Sequence, residues 1–322
     1  MKRREILLGA AALAAASRLN AQSKKVYRIG YPSASPRESL TAYLTAFEKG
    51  LREHGYFAGE NVVIDFRYTG PKPENVAVAI QELDREKVDV IITGLNSTTT
   101  VAKTIARNVP VVFVVGVDVI GQGFVKSYAR PGGNLTGLTF DVGDRPHNKR
   151  LELLKAAVPK ISRVAVLYDR GQDTAQLRAA LAETAKVLRL TLAWVELSSD
   201  FNSTFEAMAR DGVNGIYSTN GAQQFVRRAE VVALAAKYKL PTTFALGEFV
   251  EAGGLMSHGP NIPDLYRRAA SFVVRIFKGA RPADLPVEQP MRIDLVINLK
   301  TAKALGLVIP KIVRLRADRV IE

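Results

Sequence analysis

Three short apolar runs in the first half of the chain recur, in order and at nearly constant spacing, in the second half. Arg28-Ile-Gly-Tyr31 is echoed by Arg163-Val-Ala-Val166, Val88-Asp-Val-Ile91 by Val213-Asn-Gly-Ile216, and Asn108-Val-Pro-Val-Val-Phe113 by Lys239-Leu-Pro-Thr-Thr-Phe244. The offsets are 135, 125 and 131 residues. Such a recurrence, with helical stretches between the echoes, predicts two similar β/α lobes in tandem with a cleft between them.

The clearest unit is the stretch from Val88 to Asp118. Val88–Thr93 and Pro110–Val115 are rich in Val and Ile, as strands buried on both faces of a parallel sheet are. One helical run ending near Asn108 separates them, so the stretch reads as a right-handed β-α-β unit. Both strands end in small and polar residues, Gly94–Thr98 and Gly116–Asp118, and ligands of open parallel sheets sit beyond the carboxyl ends of strands. Ser97 or Thr98 can cap the helix and leave backbone N–H groups facing an anion.

The same reading runs along the chain. Tyr27–Tyr31 is a strand, Leu40 to Leu51 has helical spacing, and Asn61–Tyr68 alternates as a strand near the sheet edge does. Helices are expected at 74–86, 175–188 and 222–237. After the second lobe come a short helix and a strand at Glu248–Gly259, a helix at 263–278, and a last β/α element at 293–305. The expected division is a first lobe at 22–139, joined by about 259–290, and a second at 140–258, joined by about 291–322. The hinges are expected near Leu138–Val142 and Gly254–Pro260.

Residues 1–21 stand apart from the fold. Lys2-Arg3-Arg4 is a basic start, Ile6–Ala16 a short apolar run, and Leu19-Asn20-Ala21 a plausible cut before Gln22, which together read as a secretory signal. The paired arginines also resemble a twin-arginine signal. No other stretch has the ~20 apolar residues needed to span a bilayer. The chain has no cysteine, which excludes lipoprotein acylation, disulfides and thiolate chemistry. The expected location is the periplasm.

The formal charge of +14 falls to +11 without residues 1–21, which hold four basic residues and one acidic. The basic residues are spread over helix faces without a block or interleaved aromatics, so nucleic acid is not the expected partner. Catalytic signatures are missing. The three histidines, His54, His147 and His258, are scattered without metal-ligand spacing, and there is no dinucleotide fingerprint, phosphate loop or nucleophile elbow. No enzyme activity, metal or cofactor is expected. What remains is a set of polar strand-end residues: Ser33, Ser35, Asn96, Ser97, Thr98 and Asp118 in the first half, Asp169, Thr219, Asn220 and Glu248 in the second. Tyr31, Tyr168 and Phe249 offer aromatic surface nearby. Hydroxyls, amides and carboxylates between aromatic walls suit a small polar molecule with an apolar part. An α-amino acid fits, its carboxylate at the helix start of Ser97–Thr98 and its ammonium at Asp118 or Glu248.

From Tyr27 to Glu322 the chain resembles the substrate-binding proteins of ABC transporters with the type I periplasmic-binding fold, in the subfamily of tryptophan and tyrosine binders. The segments that carry the resemblance are Leu51-Arg-Glu-His-Gly-Tyr56, Tyr128-Ala-Arg-Pro-Gly-Gly-Asn-Leu-Thr-Gly137, Lys149-Arg-Leu-Glu-Leu-Leu154, Glu248-Phe-Val-Glu-Ala-Gly-Gly-Leu-Met-Ser257 and Val296-Ile-Asn-Leu-Lys-Thr-Ala-Lys-Ala-Leu-Gly306. At the loops it departs from the family, with Gly94-Leu-Asn-Ser97, Asp118-Val119 and Asp169-Arg170 where proline-containing turns are common. The resemblance implies an α/β protein of two Rossmann-like lobes with parallel sheets, joined by a hinge. It implies a monomer that captures a small solute, such as an aromatic amino acid, for an ABC permease and ATPase of the inner membrane. The rival is a sensor module of the same fold reporting to a membrane receptor. The mature protein is expected to begin at Gln22; amino-terminal sequencing of the exported protein tests this, and intact Met1 on cytosolic protein would overturn it.

Overall fold

The Val and Ile runs form the expected strands, and their pairing places every candidate loop at one edge of two sheets. The computed structural model describes residues 25–70, 72–140, 145–170, 172 and 174–322. The expected signal and the Asp141–Val142 end of the first expected hinge lie outside these residues. In the first half, β1 (Tyr27–Ser33), β2 (Val62–Tyr68), β3 (Val90–Thr93), β4 (Val111–Gly116) and β5 (Leu135–Thr139) form an all-parallel sheet in the order β2-β1-β3-β4-β5. β3 is buried at all four residues, whereas β2 at the edge is only half covered, as its alternation implied. Between strands run α1 (Thr41–Glu53), α2 (Pro73–Arg85) and α3 (Asn96–Ile105).

The second half repeats this arrangement more fully than the three sequence echoes indicated. β6 (Arg163–Tyr168), β7 (Thr191–Glu196), β8 (Gly215–Ser218), β9 (Thr242–Phe244) and β10 (Met256–Pro260) pair in the order β7-β6-β8-β9-β10, matching the first sheet strand for strand. The edge strand β7 has no clear signature in the sequence. Two further strands, β11 (Ile293–Asn298) and β12 (Arg319–Ile321), extend this sheet, with β11 antiparallel to β10.

Each sheet is covered on both faces. In the first lobe Val76, Ile80 and Leu83 of α2 and Ala102 of α3 cover one face. The other face is covered by α1 together with α10 (Ile262–Phe277), which returns from the second lobe. In the second lobe one face carries α4 (Arg145–Ala157) and α5 (Ala175–Leu188). Its other face carries α6 (Phe201–Arg210) and α8 (Arg228–Lys237). The chain therefore passes between lobes after β5, at Pro260–Asn261 after β10, and again before β11. Asn261 shapes the second passage by accepting the Asp264 N–H at 2.9 Å and capping α10.

One expected helix is two. The run 222–237 is divided at Arg227 (φ −101°, ψ 28°) into α7 (Ala222–Val226) and α8. The break turns Phe225 toward the interlobe space, where it packs against the cores of both lobes, while Val231, Val232 and Ala235 stay in the core of their own lobe. Periodicity alone cannot distinguish a continuous helix from two helices that share a register.

The seam between α1 and α10 is tight. Tyr43, Leu44, Phe47 and Leu51 meet Leu265, Ala269, Phe272 and Val273 there. A Cβ at Gly50 would lie 2.1 Å from the Arg267 carbonyl oxygen, a backbone atom that no rotamer change can move. Gly50→Ala gains at most ~1 kcal/mol of helix propensity but overpacks the seam at a cost of about 1–3 kcal/mol. A lowered Tm is expected in thermal denaturation; a Tm at or above the parent's would show that the helices separate freely.

Candidate functional site

All five strands of the first sheet and the matching five of the second are parallel, so their carboxyl ends share one edge in each lobe. At the first lobe's edge, α3 begins at Asn96 with Leu95 at the cap position and no side-chain capping bond. This corrects the expectation that Ser97 or Thr98 caps the helix. Both lie within its first turn, Ser97 exposed and Thr98 only 2% exposed. The first backbone N–H groups of a helix have no intrahelical acceptor, and leucine offers none. The end keeps its partial positive charge.

Asn96 has a different task. Its Nδ2 donates to the Val117 carbonyl at 2.7 Å and its Oδ1 accepts the Val117 N–H at 3.0 Å. The amide therefore fixes the loop after β4, one residue before Asp118, against the start of α3. Asp118 is exposed, adopts a left-handed conformation (φ 49°), and accepts the Gly121 N–H at 3.1 Å. The second lobe repeats the device. Asn220, also left-handed at φ 60°, accepts the Ala245 N–H after β9 at 3.1 Å and donates to the Ser218 carbonyl at 2.9 Å.

Other expected site residues also bind their own loops. Ser33 is buried; its hydroxyl donates to the Ser35 carbonyl at 2.7 Å and accepts the Ser35 N–H at 3.1 Å, closing a turn in which Ser35 is half-buried. Asp169, 8% exposed, accepts the Gln223 N–H at 2.7 Å and Gln224 Nε2 at 3.1 Å, which places its carboxylate at the start of α7. Thr219 donates to Gln172 Oε1 at 2.6 Å. Tyr168 is half-buried at the end of β6, with its ring 6.2 Å from that of Trp194. Tyr31 and Phe249, expected as cleft walls, are core residues. Tyr31 is 2% exposed with its hydroxyl 2.7 Å from that of Tyr266, and Phe249 is stacked on Phe244 at 4.3 Å.

Glu248, in α9 (Gly247–Glu251), reaches across the lobes. Its Oε1 accepts the hydroxyl of Tyr43, from α1, at 2.7 Å. Tyr43 in turn stacks on Tyr266 at 5.1 Å. Burial, followed by the Glu248 carboxylate, raises the Tyr43 phenol far above its ordinary range, so it remains a donor at any working pH. Burial pushes Tyr266 up to about 12. Gly94, at the end of β3, lies against the buried phenols of Tyr266 and Tyr31; a Cβ there would be 2.4 Å from the Tyr266 hydroxyl and 3.2 Å from that of Tyr31. Tyr43 and Tyr266 read as core positions of their helices, and their partners are 205 and 235 residues away, so no local signal marks them. A cavity of about 350 Å³ borders Glu248 and the passage at Pro260–Asn261, and Arg292, Asp294 and Arg319 also line it.

Two lobes with strand ends facing a shared cleft, joined by repeated passages of chain and bridged by a partly buried hydrogen bond, define a hinged solute-binding protein. The chain belongs to the ABC transporter substrate binding protein family, whose model matches residues 36–321. It is similar to a tyrosine-binding protein of Clostridioides difficile (strain R20291), with 24% identity over 288 residues covering 88% of this chain and 82% of that one. It is similar to a domain from Streptococcus pneumoniae solved in complex with L-Trp, at 27% identity and a TM-score of 0.81, covering 92% of this chain and 100% of that one. A conserved domain protein of Vibrio cholerae aligns at 26% identity and a TM-score of 0.79, again over 92% and 100%. The two parallel-sheet lobes are the type I periplasmic-binding fold. The protein is the solute-binding component of an ABC transporter and not an enzyme, and its family works outside the cytoplasm.

Removing the Tyr43 hydroxyl deprives Glu248 of a bond to a charged acceptor, worth about 1.5–3 kcal/mol. Tyr43→Phe should therefore shift the ligand-free lobes toward a more open ensemble. The radius of gyration from small-angle scattering is expected to rise relative to the parent; an unchanged value would show that this bond does not hold the lobes together.

Proposed function

We propose that the cleft captures an α-amino acid with an aromatic side chain. The observation that carries this reading is the Asn96 tether, which holds the loop carrying the exposed Asp118 against the uncapped start of α3. A helix start attracts a carboxylate and an aspartate attracts an ammonium, so the pair matches the two charges common to every α-amino acid. The tyrosine-binding relative and the relative solved with L-Trp support an aromatic side chain. The ring is expected toward the second lobe, where Tyr168 stands at the end of β6. Ser97 contributes its hydroxyl on the first-lobe side. Closure of the lobes brings both sets of groups onto the solute.

The export reading is part of the proposal: residues 1–21 are removed near Ala21, and the mature protein works in the periplasm as a monomer. An inner-membrane permease with its ATPase receives the solute from the closed form. A sensor role is the weaker reading, because the family is one of transporter components.

Calorimetric titration of L-tyrosine and L-tryptophan, each against its deaminated analogue, tests the assignment in the parent and in Asp118→Asn. Asparagine tolerates the left-handed conformation of position 118, so the loop is retained. Loss of a charge-assisted bond of ~1.5–3 kcal/mol predicts roughly a 10- to 150-fold weaker Kd for the amino acid, with the analogue little changed. Equal losses for both ligands would mean that Asp118 shapes the loop and does not pair with an amine. Absence of binding of either amino acid to the parent would overturn the ligand class.

A further inference from the structure

The Lys149–Leu154 segment carries a charged group that the cleft described so far does not use. Arg150 lies in α4 and is 3% exposed. Its guanidinium donates to the Ser218 carbonyl at 3.3 Å and to the Tyr217 hydroxyl, lies 3.0 Å from His147 Nδ1, and sits over the Tyr217 ring at 4.6 Å. None of these groups is an anion. Burial lowers its pKa and Tyr217 opposes that shift, with no carboxylate of the described residues among the groups acting on it. Among the described residues, buried Arg150 Nε has no hydrogen-bond partner.

Two more polar atoms on the same face are in the same condition. Thr243 pairs in register with Tyr217 on one side and Met256 on the other, and His258 follows two residues along β10 on that face. Thr243 Oγ1 and His258 Nδ1 are both buried, without partners among the described residues. Burial, then the charges of Arg150 and Lys149, pushes His258 down to about 4, with Arg316 adding to them and Asp318 opposing. Its ring is therefore neutral at ordinary pH and carries one N–H. The cluster holds one full positive charge and up to three donors. A buried charge without a counter-charge is strongly disfavoured.

We propose that Arg150 Nε, the Thr243 hydroxyl and the His258 imidazole form a binding site for a small monovalent anion, at the cleft end of β8 in the second lobe. One chemistry, a compact group of single negative charge, satisfies the site from either of two sources: the carboxylate of the captured solute or a free halide. The halide case stands apart from the amino-acid reading; the carboxylate case rests on that reading's ligand class and moves the solute's carboxylate from the start of α3 to Arg150.

The experiment has two arms. In the first, ligand-free protein is melted in sodium chloride and in the same concentration of sodium gluconate, whose anion is too bulky for a closed site. A halide site predicts a Tm about 2–4 °C higher in chloride, lost in Arg150→Met, and an anomalous bromide peak within hydrogen-bond distance of Arg150 Nε in soaked crystals. In the second, L-tryptophan and tryptamine are titrated into the parent and Arg150→Met. A solute-carboxylate site predicts that the variant weakens L-tryptophan at least tenfold while tryptamine, which lacks the carboxylate, is unaffected. Arg150→Lys keeps the charge and replaces the methionine variant if that fails to fold; each effect should then shrink without vanishing. Equal Tm values in the two salts, together with a variant that treats both indole ligands alike, overturn the proposal. If L-tryptophan does not bind the parent, the amino-acid reading falls and the halide arm alone decides this one.

Discussion

A parallel sheet with both faces covered by helices is the constraint on which the rest of this molecule depends. Parallel neighbours cannot be joined by a tight turn, so each connection must cross the sheet. The crossing helices then bury the Val and Ile side chains of both faces. Because every strand of the first sheet points the same way, all its outgoing loops meet at one edge. The second sheet has the same strand order in its five shared strands and the same consequence. A two-lobed cleft follows from covering two such sheets, before any ligand is considered.

The loops at that edge are held by backbone recognition more than their composition implied. Asn96 and Asn220 occupy matching places after β3 and β8, and each binds the N–H of the loop following the next strand. The amides that look like ligand contacts in sequence are the fasteners of the two rims. Ser33, Thr219 and Asp169 serve similarly, satisfying turns and a helix start. On the first rim the exposed Asp118, whose carboxylate accepts the Gly121 N–H, lies in the loop that the Asn96 tether holds against the start of α3. The proposed capture of a zwitterion there would draw on a rim that is already held in place.

The lobes are coupled as well as separate. Phe225 and Leu246 pack against the cores of both, and Glu248 takes a hydrogen bond from Tyr43. The chain also returns from the second lobe so that α10 can complete the first core beside α1. Covalent passages and non-covalent contacts therefore lie side by side. That arrangement allows rotation about the passages while limiting its range, as in hinge closure around a ligand. The buried polar groups differ between lobes: the first holds a pair of hydrogen-bonded phenols, Tyr31 and Tyr266, and the second the guanidinium of Arg150.

Local patterning made much of the fold legible. The buried strand runs, the helix at 175–188 to the residue, the half-covered edge strand β2 and the internal repeat all follow from side-chain periodicity, which is set by short-range backbone geometry. The rim loops were legible too, because they must follow strand ends. What Asn96, Asn220, Tyr31 and Phe249 do within those loops was not, since the same polar or aromatic residue serves a turn, a core or a ligand according to neighbours far away in sequence. Tyr43 and Glu248 are 205 residues apart, and nothing in either helix marks the other as its partner. No sequence signal sets Arg150 apart; only the packing of α4 against β8, β9 and β10 buries it, with no carboxylate of the described residues beside it. Periodicity determined which elements form and which faces they cover. Tertiary structure alone decided which polar groups are satisfied internally and which remain to bind something else, because that balance is settled by burial and long-range contact.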